Sequence, residues 1–247
     1  MIRVGTAGWT IPARVRDRFD AEGSHLERYA RRFSCVEINS SFYRPHRPST
    51  YARWAAGVPE GFRFALKVPK EITHTLRLVD AVGPLDRFLA ETAALGEKRA
   101  VLLVQLPPSF AYDAPVIERF FAAFRERYDG PLACEPRHPS WFTPEADATL
   151  CRYASARVAA DPAVVPEAAS PGGWPGLRYS RLHGSPRTYY SSYDDAFVAE
   201  LAHRLTAEDR PAWCIFDNTA MDAATANALT LLELLRRARE SAAPGSS

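Results

Sequence analysis

Eight short β-rich runs alternate with helix-patterned segments along the 247-residue chain, and no other feature restricts its fold as much. The spacing predicts strands at Ile2–Gly8, Cys35–Phe42, Arg63–Val68, Ala100–Leu106, Pro131–Glu135, Arg157–Asp161, Leu177–His183 and Trp213–Asp217. Helical periodicity fills Ser24–Phe33, Ser49–Ala56, Ala81–Leu95, Ala114–Tyr128, Pro144–Ser155, Asp194–Leu205 and Met221–Glu240. Strands that alternate with helices need parallel neighbours, which makes this an α/β chain. Eight such units in roughly 250 residues predict a single TIM-type (β/α)8 barrel over residues 1–240. No GxGxxG or P-loop pattern supports an open nucleotide-binding sheet instead. Pro162–Gly176 is rich in Pro, Gly and Ala where the sixth helix is due, so the sixth unit reads as irregular. The Pro69–Asp80 loop is long, Thr219-x-x-Asp222 fits a capping box, and residues 241–247 read as a disordered tail.

The strands share a second property: each apolar run ends in polar residues. In Pro131-Leu-Ala-Cys-Glu-Pro-Arg-His-Pro-Ser-Trp141, a carboxylate and a guanidinium follow directly on the apolar run. Alternate strand residues face the same way, so Glu135 shares a face with Arg137, Glu37 with Asn39 and Ser41, and Arg181 with His183. The other ends supply Trp9, Lys67, Gln105, Asp161, Asp217 and Asn218. Barrels of this class place their chemistry at the C-terminal ends of the strands, so these residues are read as one mouth.

Composition points to no particular macromolecular partner. The formal charge of +2 is too small to indicate nucleic acid or an anionic membrane, and no apolar run reaches the length of a membrane span. Four dispersed cysteines without a CxxC pair read as reduced core residues. The first residues form a strand rather than a leader, so the expected location is cytoplasmic. Among 31 basic residues only Lys67, Lys70 and Lys98 are lysines, and two of them stand at one strand end. A compact ammonium is therefore expected to matter there, unless the placement is chance.

These strand ends carry a resemblance. Gly5-Thr-Ala-Gly-Trp9, Val36-Glu-Ile-Asn-Ser-Ser-Phe-Tyr43, Lys67-Val-Pro-Lys70 with Thr73-His74, and Gln105-Leu-Pro-Pro108 are four of the segments concerned. Glu135-Pro-Arg-His138 with Trp141, Arg181-Leu-His-Gly184 and Phe216-Asp-Asn-Thr219 complete the set. In order, they resemble the YecE-like family of unknown function over nearly the whole chain. The resemblance implies a TIM-type barrel and no established reaction. One departure is visible: Ser185-Pro-Arg187 follows Gly184, where an arginine is expected directly after the glycine.

Glu37 and Glu135 are the acid/base candidates, with His183 as proton partner; equally, each carboxylate pairs with a buried cation. Lys67, Arg137, Arg181, His138 and His183 form a cationic set suited to phosphate or carboxylate. Asn39, Gln105, Asp217 and Asn218 are expected to orient a ligand, and Trp9, Tyr43, Trp141, Tyr189 and Tyr190 to line the mouth or pack as lids. The expected function is an enzyme, whether hydrolase, lyase or isomerase, acting on a small anionic molecule without a resident cofactor. The alternatives are a metal-dependent phosphodiesterase or nuclease, its divalent metal held by His183, His138, Glu37, Glu135, Asp161 and Asp217, and a non-catalytic RNA- or ligand-binding protein touching RNA through Arg44, Arg47 or Arg77.

Overall fold

The computed structural model describes residues 1–207 and 210–242. Its strands are β1 (Ile2–Thr6), β2 (Cys35–Ile38), β3 (Arg63–Lys67), β4 (Arg99–Gln105), β5 (Leu132–Glu135), β6 (Ser155–Arg157), β7 (Ala159–Asp161), β8 (Gly172–Gly173), β9 (Arg178–Leu182) and β10 (Ala212–Phe216). The helices are α1 (His25–Ala30), α2 (Ser40–Tyr43), α3 (Pro48–Ala56), α4 (Val82–Thr92), α5 (Ala114–Arg125), α6 (Pro144–Arg152), α7 (Asp195–Thr206) and α8 (Ala223–Ala242). Each expected strand and helix is present, with ends shifted by a few residues.

The strands do not form one unbroken ladder. One sheet runs β1-β10-β9-β7 and the other β2-β3-β4-β5-β6-β8. Their pairings are parallel apart from the short β6–β8 contact. The two sheets meet twice. On one side Ala7 bridges to Glu37, and the Gly8 N–H donates to the Glu37 carbonyl at 2.8 Å. On the other, β6 and β7 flank Val158 as two halves of one extended segment, the first paired with β5 and the second with β9. The interruption at Val158 is where the expected sixth strand splits.

Strand alternation separates two apolar clusters. Val36, Phe64, Leu66, Val104, Cys134 and Phe216 pack outward with helix residues such as Leu85, Phe121, Val198 and Leu229. Cys35, Ala65, Leu103, Ala133, Tyr179 and Ile215 face the other way and join the two sheets through a smaller cluster. Aromatic bulk sits mainly in the first cluster, whereas small and aliphatic residues make up most of the second.

Local chemistry explains the departures from expectation. The second strand stops at Ile38 rather than Phe42, because Ser41 donates its hydroxyl to the Ile38 and Lys67 carbonyls (3.0 and 2.7 Å), and Ser40–Tyr43 turns helical. Ser24 and Glu27 form a reciprocal capping box on α1. The box expected at Thr219 is not formed: Asp222 takes a φ of 59°, and α8 begins one residue later. Between β7 and β9 the chain makes only a short turn at Pro166–Ala169 plus β8. Where a sixth helix would pack, a groove of about 340 Å³ is left between β9 and α7, lined by Leu182, Phe197, Leu201 and Leu205. Ser241 continues α8, and the rest of the expected tail, 243–247, lies outside the described residues. Among the described residues no helix is long and apolar enough to cross a membrane. Cys35, Cys134 and Cys214 are buried and Cys151 exposed, all as free thiols.

Candidate active site at the strand ends

The inner face changes chemistry within one alternation step. Cys35 is followed by Glu37, Ala65 by Lys67, Leu103 by Gln105, Ala133 by Glu135, Tyr179 by Arg181 and His183, and Ile215 by Asp217. An apolar plug thus supports a layer of charge at the C-terminal ends of the strands. Glu37, Glu135, Arg181 and His183 are fully buried, Asp217 nearly so, and Lys67 is 6% exposed.

Arg181 is the hub of that layer. Its Nε and Nη2 donate to the two oxygens of Glu37 at 3.1 and 2.6 Å, a bidentate pair. Nη1 donates to Glu135 Oε2 at 2.7 Å, and Nη2 also reaches Asp217 Oδ2 at 2.9 Å. The Tyr179 hydroxyl donates to Glu37 Oε2 at 2.8 Å. Burial raises the Tyr179 hydroxyl well above its usual range, and Glu37 pushes the same way, so it remains a donor. His183 lies between two carboxylates, with Nδ1 at 3.0 Å from Asp217 Oδ2 and Nε2 at 2.8 Å from Glu135 Oε1. Arg137 Nη2 completes a triangle, 2.7 Å from Glu135 Oε1 and 2.9 Å from His183 Nε2.

The three carboxylates Glu37, Glu135 and Asp217 are thereby all held by Arg181, with Arg137 and His183 also on Glu135 and His183 also on Asp217. Burial alone would raise the Glu135 carboxyl, but Arg137, Arg181 and His183 outweigh it and hold the group well below the usual carboxylate range. At Asp217 burial is likewise outweighed, by Arg181, His183 and Lys67. Lys67 goes the other way: burial, helped by Arg181, lowers it to about 8 against the pull of the three carboxylates. Its Nζ lies 3.8 Å from the Phe42 ring centre and, among the described residues, makes no hydrogen bond or ion pair.

The remaining candidates divide. Asn39, Gln105 and Arg137 each carry a buried polar atom without a partner: Oδ1, Oε1 and Nε. Asn218 turns away from the inner face, its amide nitrogen donating to the Ser191 carbonyl and to Asn227 Oδ1, both at 3.0 Å, so it fixes a loop to α8. Trp141 is fully buried, with its indole N–H on the Phe110 carbonyl at 2.9 Å, and it packs beside Phe110 and Tyr112 rather than at the opening. His138 Nδ1 accepts from the Ser140 N–H at 3.2 Å and caps the turn that carries Trp141. Trp9 is half-buried, edge-on to Trp54 at 5.0 Å, whereas Tyr43 is 73% exposed. Asp161 is held by the Tyr193 hydroxyl at 2.7 Å, and that same oxygen accepts from the Gly184 N–H at 2.8 Å.

Tyr189 is the residue that sequence reasoning placed only loosely. At a φ of 69° it sits edge-on to His183 at 5.8 Å, and burial, with Asp217 next, raises its hydroxyl. Its N–H donates to the His183 carbonyl, so backbone geometry rather than strand spacing brings it there. The signal lay in Gly184, whose φ of 94° lets the loop fold back, and where a Cβ would meet the Ser191 carbonyl oxygen at 2.7 Å.

The chain is 30% identical to the UPF0759 protein YecE of Escherichia coli K12 over 154 residues, 62% of this chain and 54% of YecE, so the match spans about half the length of that relative. Its fold matches a DUF72 family protein of Enterococcus faecalis V583 with a TM-score of 0.79, at 23% identity and 96% coverage of each chain. L-ribulose 3-epimerase is a more distant likeness in fold, with a TM-score of 0.54 at 16% identity over the full length of both chains. The motifs at the strand ends and a family match running from residue 3 to residue 247 agree: the chain belongs to the family described as protein of unknown function DUF72.

Proposed function

We propose that residues 1–240 form one (β/α)8 barrel and that its mouth is the active site of an enzyme that binds a small anionic substrate and moves a proton on it. The observation that carries this reading is the pair of cationic donors left over once the buried network is satisfied. Lys67 Nζ has no polar partner among the described residues, and Arg137 keeps an unpartnered Nε–H although its Nη2 is bound. An anion entering the mouth gains two charge-assisted contacts without breaking the Arg181 network. Gln105 and Asn39 offer orphaned carbonyl oxygens to substrate hydroxyl or amide donors, which relieves a cost of about 1–3 kcal/mol for each buried unpaired group.

His183 and Glu135 supply the proton path. The imidazole bridges Glu135 and Asp217, so a proton taken at Nε2 is matched by one held at Nδ1. Arg181 positions the carboxylates and is not itself a substrate contact, because its bonds already run to all three. The donor chemistry weighs against the phosphodiesterase alternative: the oxygens a divalent cation would use are taken up by Arg181, Arg137 and His183. An RNA-binding role loses one of its three arginines, since Arg77 is held by Ser109 and lies over Phe110. The fold likeness to L-ribulose 3-epimerase supports the architecture and leaves the substrate unassigned.

The test is thermal denaturation with inorganic phosphate or sulfate. At a hundredfold excess over Kd, binding adds about 2.7 kcal/mol and raises the melting temperature. The shift should vanish in Arg137→Ala and shrink in Lys67→Met. An equal shift in all three proteins, or none in wild type, overturns the assignment.

A further inference from the structure

We propose that Lys67 is a nucleophile that forms an imine with an aldehyde or ketone substrate, the carbonyl being carried by the anion that Arg137 holds. The proposal deepens the anion-binding reading of the same mouth and rests on it.

The placement of the amine is the first argument. Lys67 ends β3 on the inner face, one alternation step above Ala65, with the apolar plug beneath and the mouth above. The other two lysines are placed differently. Lys98 donates to the Ala55 and Val58 carbonyls at 2.6 and 2.7 Å, and Lys70 is exposed. A lysine kept for structure is expected to look like Lys98. Lys67 instead has an apolar ring face on one side and carboxylates engaged elsewhere on the other.

The choice of residue is the second. Nearly every other cation in this chain is an arginine, including both guanidiniums of the site. A guanidinium stays protonated and cannot add to a carbonyl, whereas an amine can once it is neutral. Lowered to about 8, Lys67 is neutral in about one molecule in ten at pH 7, against about 3 in 10⁴ for an ordinary lysine. A merely electrostatic contact would be served as well by arginine.

The step balances without a further reactant. The Nζ lone pair forms a bond to the carbonyl carbon as the C=O π pair moves to oxygen. One proton leaves Nζ and one is taken up by that oxygen, giving a carbinolamine. Loss of the hydroxyl with a second proton, as water, leaves the C=N bond. Protonated, that imine draws electrons from the neighbouring carbon and favours loss of a proton or a carbon group there. Such chemistry fits the lyase and isomerase classes and not simple hydrolysis.

Trapping the imine tests this directly on the full-length wild-type protein. Glyoxylate, an aldehyde bearing one carboxylate, is the probe; sodium borohydride reduces any imine to a stable amine, and peptide mass spectrometry locates it. With only three lysines and the amino terminus to compete, the map is simple. The expected result is an adduct at Lys67 forming at least tenfold faster than at Lys70. Its rate should rise through about pH 8, level off roughly a unit higher and be suppressed by excess phosphate. Labelling at Lys70 equal to or above that at Lys67 overturns the proposal. If Lys67 stays unlabelled while phosphate still stabilises wild type but not Arg137→Ala, the imine falls and the anion site stands. If phosphate has no effect either, both fall.

Discussion

Replacing Arg181 by methionine separates a structural hub from a substrate contact. The side chain is fully buried and makes four charge-assisted hydrogen bonds to Glu37, Glu135 and Asp217. Methionine fills most of the space but leaves the carboxylates, among the described residues, with Arg137, Lys67 and His183 as the basic groups beside them. Breaking a buried ion pair from one side costs about 3–5 kcal/mol. For a chain of this length each kcal/mol is worth about 2–4 °C, so the melting temperature should fall by about 6–20 °C. The pH dependence carries the sign. In wild type Glu135 and Asp217 are held below their usual 4.5 and 3.8, so their contribution is complete above pH 4.5 and is lost as the pH falls below it. Without Arg181, each carboxylate loses one of the cations that offset burial, so both are held less far down and the stability they give up on acidification is smaller. The gap between variant and wild type should therefore narrow below about pH 4.5, where wild type loses the contribution that the variant already lacks. Urea denaturation followed by tryptophan fluorescence at about pH 7.5 and about pH 3.5 measures that gap. A loss under about 1 kcal/mol at pH 7.5 refutes the reasoning, as does a gap that fails to narrow at the lower pH.

Two further variants probe the frame around the site. Tyr193→Phe removes the oxygen that accepts from Gly184 and donates to Asp161; with a backbone N–H left unpaired it should cost about 1–3 kcal/mol by chemical denaturation, and a change below 0.5 would refute the role. Gly5→Ala brings a Cβ to 2.4 Å of the Cys35 backbone carbonyl where the two sheets meet, and should cost at least about 1–3 kcal/mol, whereas Gly61→Ala, with open space at its Cβ, should be nearly neutral.

The strands and helices were legible because period-2 and period-3.6 patterns depend on burial, and burial is what these sheets impose. The strand ends were legible for the same reason: Glu37, Glu135, Arg181 and Asp217 break an apolar run on its inward side. Their pairings were not. Arg181 is a good anion fork by residue type, and only the backbone shows three carboxylates already within its reach. Trp141 packs beside Phe110 because it sits on a short turn whose direction residue spacing does not encode, whereas Asn218, next to the inward Asp217, faces the other way as strand alternation requires. The stop at Ile38 depended on one serine hydroxyl choosing carbonyls over continued ladder pairing. Tyr189 depended on a glycine turn, so it is invisible to any strand rule.

The Arg181 hub also bears on time. Its contacts join residues 36, 46 and 144 positions apart in the chain, and they span both sheets. Closing loops of that length is costly before the contacts exist, so we expect these contacts to form late in assembly. Interactions absent from the folding transition state act almost wholly on the unfolding rate. A cost of about 3–5 kcal/mol then corresponds to unfolding faster by about 10²–10³-fold or more, with refolding little changed. The residue that holds the buried charged layer together is in this way also expected to set how long the folded chain persists.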